Sequence, residues 1–206
     1  AFSRAALQAE GVDEFREKMG KSVAAYENCK EFYGRSKELG ITPRLQRCDA
    51  MIAYLGYWLA LEAPEKKRLI DECWKLTKQV LKAFEENGEA FEYGRTYDQL
   101  SLSAFLGFFL DWDHKTQDRT LNEAVEHGEK AIRFLSTSRD SEELARAYVT
   151  TASFLEFFGY YFHDLDGREK YFQKARDYWK KANELSEEIA MIGLLSTFAG
   201  SSLDWG

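Results

Sequence analysis

Tyr54-Leu55-Gly56-Tyr57-Trp58 returns as Phe105-Leu106-Gly107-Phe108-Phe109 and again as Phe157-Phe158-Gly159-Tyr160-Tyr161. Each copy reads aromatic, bulky apolar, glycine, aromatic, aromatic, and the glycines lie 51 and then 52 residues apart. Two further markers keep step. Cys73, Ala124 and Ala175 follow their glycines by 17, 17 and 16 residues, and Arg44, Arg95 and Arg146 precede them by 12, 12 and 13. A period of this size, shared by three markers, signals stacked supersecondary units in which neighbours bury one another's apolar faces.

Working outward, every segment between the markers carries helical periodicity and none carries strand-length alternation. Phe15, Met19, Val23, Tyr26, Cys29 and Phe32 recur at steps of three or four within residues 13–39 and predict an amphipathic helix, closed by Gly40. Thr42-Pro43 starts the next helix, which runs to about Leu61 and is apolar nearly all round in its second half. Pro64 opens a helix over 64–86, with Leu69, Cys73, Leu76, Val80 and Phe84 in one stripe, ending at Gly88. The plan repeats with helices over about 91–111 and 117 or 121–137, and then over 141–163 and 167–186. Thr120-Leu-Asn-Glu123 and Asp140-Ser-Glu-Glu143 read as capping boxes. Residues 187–206 begin a further helix with Ile189, Ile192, Leu195 and Phe198.

The expectation is an all-α chain of about eight helices forming one domain over 1–206, with units at 1–40 (partial), 43–88, 91–138, 141–186 and 187–206 (partial). The chain starts and stops partway through a unit, so it is expected to be a piece of a longer protein. The uncovered faces of the two partial units also suggest self-association end to end.

Composition narrows the function classes. Aromatics at 15% and only two prolines describe a folded, regular chain. A net charge of −7 argues against a general binder of nucleic-acid backbones. Three cysteines without C-x-x-C spacing suggest neither a disulfide framework nor a zinc knuckle, and fit a reducing, cytoplasmic compartment. The longest apolar run, Ala50 to Leu61, is too short for a membrane span.

Within each unit the Leu-Gly or Phe-Gly of the first helix (A) is followed by a stripe in the second (B): Cys73, Thr77 and Val80; Ala124, Gly128 and Ala131; Ala175, Trp179 and Ala182. This resembles the tetratricopeptide repeat over about residues 43–186, with units longer than the family's usual ~34 residues. The resemblance implies a right-handed superhelix whose A helices line a concave groove holding a peptide or partner helix. Placed on the family pattern, the groove-facing positions include Tyr57, then Ser101, Phe108 and Asp111, then Ser153, Glu156, Tyr160 and His163. Tyr57, Phe108 and Tyr160 would form an aromatic column able to anchor an apolar partner residue. The competing reading is ordinary inter-helix packing.

The interior glycines 56, 107 and 159 are read as points of close approach between each A helix and its own B helix, since glycine there costs about 1 kcal/mol against alanine. The arginines at 44, 95 and 146 are read as register-fixing partners of carboxylates in the adjoining unit. Asp111, Asp113 and His114 in one turn, and His163, Asp164 and Asp166 in the next, read as solvated turn chemistry and not as a metal site. The basic residues of 168–181, from Arg168 to Lys181, read as a solvated face. No nucleophile triad, phosphate loop or H-E-x-x-H occurs, so no enzyme and no cofactor are expected. The function expected is a protein-interaction scaffold or adaptor for a protein or peptide, with no nucleic-acid or membrane partner. The alternative is a small-ligand sensor domain of a larger regulatory protein.

Overall fold

A computed structural model describes residues 6, 8–35, 41–87, 90–111, 113–138, 140–162 and 165–186. The protein is all-α. Among the described residues there are seven α-helices: α1 Val12–Arg35, α2 Ile41–Leu59, α3 Ala63–Asn87, α4 Ala90–Phe108, α5 His114–Leu135, α6 Ser141–Phe162 and α7 Leu165–Ser186. The expected closures at Gly40 and Gly88, the His163 and Asp164 positions and the final segment 187–206 lie outside the described residues.

Two helix starts show why the boundaries fall where they do. The side chain of Asp113 accepts hydrogen bonds from the Thr116 amide at 2.9 Å and the Thr116 hydroxyl at 2.8 Å, so α5 starts at His114. The box expected at Thr120 is therefore not a start, and the Thr120 hydroxyl instead donates to the Thr116 carbonyl inside the helix. At α6 half of the expected box forms: the Glu143 amide donates to the Asp140 carboxylate at 3.0 Å, while the Glu143 side chain pairs with Arg95 and Arg146 and the Asp140 amide donates to the Ser138 hydroxyl.

The described residues form two compact units, the first ending at Val80 and the second beginning at Leu81. In the first, α1 and α2 are antiparallel. Phe15 meets Trp58 edge-on at 6.2 Å, an Arg16 Nη donates to the Leu59 carbonyl, and Lys30 pairs with Asp49 towards the other end. Met19 and Leu55 sit at the centre of that contact, while Ala50 and Ala53 turn to Cys73, Leu69 and Leu76 of α3.

In the second unit, α4–α5 and α6–α7 are antiparallel hairpins. Gly94 faces Leu135 while Gly107 faces Thr120, and Glu156 reaches Trp179 while Gly159 faces Phe172. The two A helices, α4 and α6, run parallel. Their paired contacts are Arg95–Glu143, Asp98–Arg146, Phe105–Phe154 and Phe108–Phe157, each advancing together along both helices. Helix α5 lies against both, through Ala124 to Ala104 and Phe154 and through Leu121 to Phe108 and Phe158.

The B-helix stripes point inward as periodicity requires. Cys73, Ala124, Ala131, Ala175 and Ala182 are fully buried, and Thr77, Val80 and Gly128 are buried with them; Trp179 is partly buried. A β-carbon at Gly128 would lie 2.3 Å from the Thr151 hydroxyl and 3.1 Å from the Ser101 hydroxyl. At Gly94 it would lie 2.5 Å from Leu135 Cγ. These two glycines let helices touch. Gly56 and Gly107 do face Leu69 and Thr120 of their own B helices, but at 3.4 Å, an ordinary contact that alanine could make. Gly159 is tighter, at 3.2 Å from Phe172.

Candidate functional site

Of the positions expected to face a groove, Tyr57, Ser101, Phe108, Asp111, Glu156 and Tyr160 contact the B helix that follows their own A helix. Tyr57 is buried, with Lys66 of α3 over its ring at 5.4 Å, and that burial raises its phenol pKa. The Ser101 hydroxyl donates to the Ala124 carbonyl of α5 at 2.6 Å and is fully buried. Phe108 is 4% exposed and packs on Leu121 of α5 and Phe158 of α6. Trp179 Nε1 donates to Glu156 at 3.0 Å; burial pushes that carboxyl up, and the indole bond offsets part of the rise.

Tyr160 is 64% exposed, with its ring against Phe172 of α7 at 4.9 Å. Ser153 donates to its own Val149 carbonyl. The Asp111 carboxylate accepts from the Asp113 amide, and its carbonyl accepts from Gln117. His163 lies outside the described residues. Ser153, Glu156 and Tyr160 thus share one side of α6, Ser101 and Phe108 are taken into packing, and Tyr57 belongs to the first unit.

One residue further round each helix, about 100° on, the environment changes. Between the parallel helices α4 and α6 runs a seam with two chemically different halves. Its N-terminal half is ionic. The buried Asp98 carboxylate pairs with Arg146 at 2.9 Å, Arg146 also pairs with Glu143, and Arg95 reaches Glu143 at 3.5 Å and Glu92 at 3.8 Å. Two of the three periodic arginines therefore tie neighbouring units, as a guanidinium fork suits.

The C-terminal half is aromatic. Phe105 stacks on Phe154 at 4.2 Å and meets Phe157 edge-on at 5.3 Å; Phe157 stacks on Tyr161 at 4.4 Å and contacts Phe109 at 5.5 Å. Each such pair adds about 0.5–1.5 kcal/mol beyond burial. Burial fades along this half. Phe154 and Phe108 are buried, whereas Phe109 is 49% and Tyr161 60% exposed. Phe109 follows the last residue of α4 in a turn, its amide donating to the Leu106 carbonyl, and Tyr161 is the penultimate residue of α6.

The sequence did carry a signal for this end. Phe109 and Tyr161 are the last aromatic of their five-residue copies, whereas the positions singled out from the sequence were the aromatics immediately after the glycines.

The other chemistry considered from the sequence is accounted for locally. Asp113 caps α5, and its bonds from Thr116 hold its carboxyl below the usual range. The α7 cations are partly engaged: Arg176 with Glu169, Lys174 with Glu129, and Lys181 over the Tyr148 and Tyr178 rings. Burial pushes the Tyr178 phenol up to about 12, with Glu129 and Tyr148 adding to it. Among the described residues no group of three or more His, Cys, Asp or Glu side chains is placed to hold a metal, and no helix is long and apolar enough to cross a membrane.

No family model matches the chain, and no curated protein matches it. Among solved structures, a chain named DHF58 filament is similar over 91% of this chain and 92% of its own, at 17% identity and a TM-score of 0.42.

Proposed function

We propose that the chain is a tetratricopeptide-like interaction module that holds an apolar side chain of a protein partner at the open end of the α4–α6 seam. The observation that carries this reading is the exposure of Phe109 and Tyr161 at the end of an otherwise packed aromatic row. Exposed rings already held by aromatic neighbours offer contact area at little cost in side-chain entropy, and aromatics of this kind dominate binding hot spots. The ionic half of the same seam fixes the register of α4 against α6, which keeps the two rings at a set spacing. Tyr57, Phe108 and Ser101 then support the scaffold, and the contact residues are Phe109 and Tyr161, with Tyr160 on the adjoining side of α6.

The test compares proteins recovered from the source lysate by wild type and by a Phe109→Ser/Tyr161→Ser variant with an unchanged melting temperature. The reading expects a protein held by wild type and lost by the variant, then confirmed with the purified pair. Recovery of the same proteins by both would overturn it.

A further inference from the structure

The antiparallel pair α1–α2 brings together two cysteines that the interaction reading does not use. On α1, Met19, Ser22, Tyr26 and Cys29 follow one another at steps of three, four and three, so Cys29 continues the stripe that begins with Met19 against Leu55. On α2, Cys48 lies one heptad before Leu55, on the face that Leu55 turns to α1. Counting outward from Met19–Leu55 along antiparallel helices brings Tyr26 level with Cys48. Cys29, three residues beyond Tyr26, stands about one turn past that level, and the ion pair Lys30–Asp49, between the residues immediately following the two cysteines, bridges the same stretch. Cys48 is 4% exposed and Cys29 is open to solvent.

We propose that Cys29 and Cys48 form an oxidisable dithiol, a modification site at which a peroxide closes a disulfide between α1 and α2. The balance is simple. The exposed Cys29 thiolate attacks one peroxide oxygen, the O–O bond breaks, and after proton uptake Cys29 is a sulfenic acid and one water has left. The Cys48 sulfur then attacks the Cys29 sulfur, the S–O bond breaks, and the Cys48 proton leaves with the hydroxide as a second water. Two thiols are oxidised by two electrons and one peroxide is reduced to two waters.

Two observations fit this order of events. Burial pushes the Cys48 thiol up, and a charge on Cys29 adds to it. Cys29, open to solvent, meets the oxidant first, and the buried Cys48 resolves. The third cysteine is placed differently. Cys73 is fully buried against Ala50 and Ala53, with the Thr77 hydroxyl 3.8 Å from its sulfur.

The bond would close a loop of about twenty residues and limit the freedom of α1 and α2 in the unfolded chain. The test treats the fully reduced full chain with hydrogen peroxide and follows intact mass, a non-reducing peptide map and the melting temperature. The expected result is a monomer lighter by two hydrogens, a linked peptide pair containing Cys29 and Cys48, and a rise in melting temperature of roughly 5–10 °C that a reductant reverses. Cys29→Ser should abolish all three changes while Cys73→Ser leaves them intact. The proposal is overturned if Cys29 gains two or three oxygens while Cys48 can still be alkylated. It is equally overturned if Cys29 links two chains and leaves Cys48 reduced.

Discussion

Replacing Gly128 by alanine tests the closest contact in the second unit. The added carbon would stand 2.3 Å from Thr151 Oγ1 and 3.1 Å from Thr151 Cβ, so rotating the hydroxyl does not clear it. The Ser101 hydroxyl, which donates to the Ala124 carbonyl, is 3.1 Å away on the other side. Relief requires α6 to move off α5 or Thr151 to give up its bond to the Ala147 carbonyl. Overpacking of this kind costs about 1–3 kcal/mol, and loss of the hydroxyl bond adds about 1 kcal/mol. Alanine's better helix propensity returns about 1 kcal/mol. The net expectation is a loss of about 1–3 kcal/mol, read from urea unfolding by circular dichroism with the slope unchanged. Thr151→Ala in the same chain removes the obstructing hydroxyl and methyl group. The double variant should therefore recover about 1 kcal/mol or more relative to the sum of the singles. A Gly128→Ala protein as stable as wild type would refute the packing of α4, α5 and α6 described above.

Gly56→Ala is expected to act oppositely, raising unfolding free energy by about 0.5–1 kcal/mol, because its new carbon meets only the flexible Leu69 side chain at 3.4 Å; a loss in the same urea assay would contradict that spacing. Phe108→Ala should cost about 3–5 kcal/mol, since the ring fills the space between Leu121 and Phe158, and an unchanged midpoint would show that the ring is not core. Glu156 has a folded pKa raised by burial. Its native carboxyl therefore holds a proton more tightly than the unfolded one, so stability is full below about pH 4, the unfolded value, and declines as pH rises through the folded pKa. Glu156→Gln, which keeps an acceptor for Trp179, should be more stable than wild type at pH 7, with the difference closing towards pH 4. A pH-independent difference would contradict the assignment.

The all-α architecture and the pairing of helices were legible because three markers with one period constrain both the helix faces and their order. The arginine markers predicted ties between units, and Arg95 and Arg146 make them to Glu143 and Asp98. The inward B stripes followed from helical spacing alone. What did not follow was the rotation of the A helices. Tyr57 and Trp58, Phe108 and Phe109, and Tyr160 and Tyr161 are adjacent aromatics, so the sequence offers two candidate faces about 100° apart and no polar residue to choose between them. Tertiary packing decides: Phe157 lies against both Phe108 and Phe109, but only Phe108 also packs with Leu121 and Phe158 in the core, and Phe109 stays 49% exposed. The glycine marker was right about direction, since all three face their own B helix, but only Gly159 sits at a tighter than ordinary contact. Gly56 and Gly107 lie at contacts alanine could make, whereas the glycines that close contact demands, Gly94 and Gly128, are not part of the repeated stretch.

The interaction reading is tested most directly by placing the photo-crosslinking residue benzoylphenylalanine at position 109 and, in a second protein, at position 32. Phe32 is a 73% exposed phenylalanine in the other unit, so it controls for exposure and chemistry. Irradiation in the source cells should give a discrete protein adduct from position 109 and not from position 32. The same adducts from both positions, or none from 109, would contradict a partner seated on the aromatic seam.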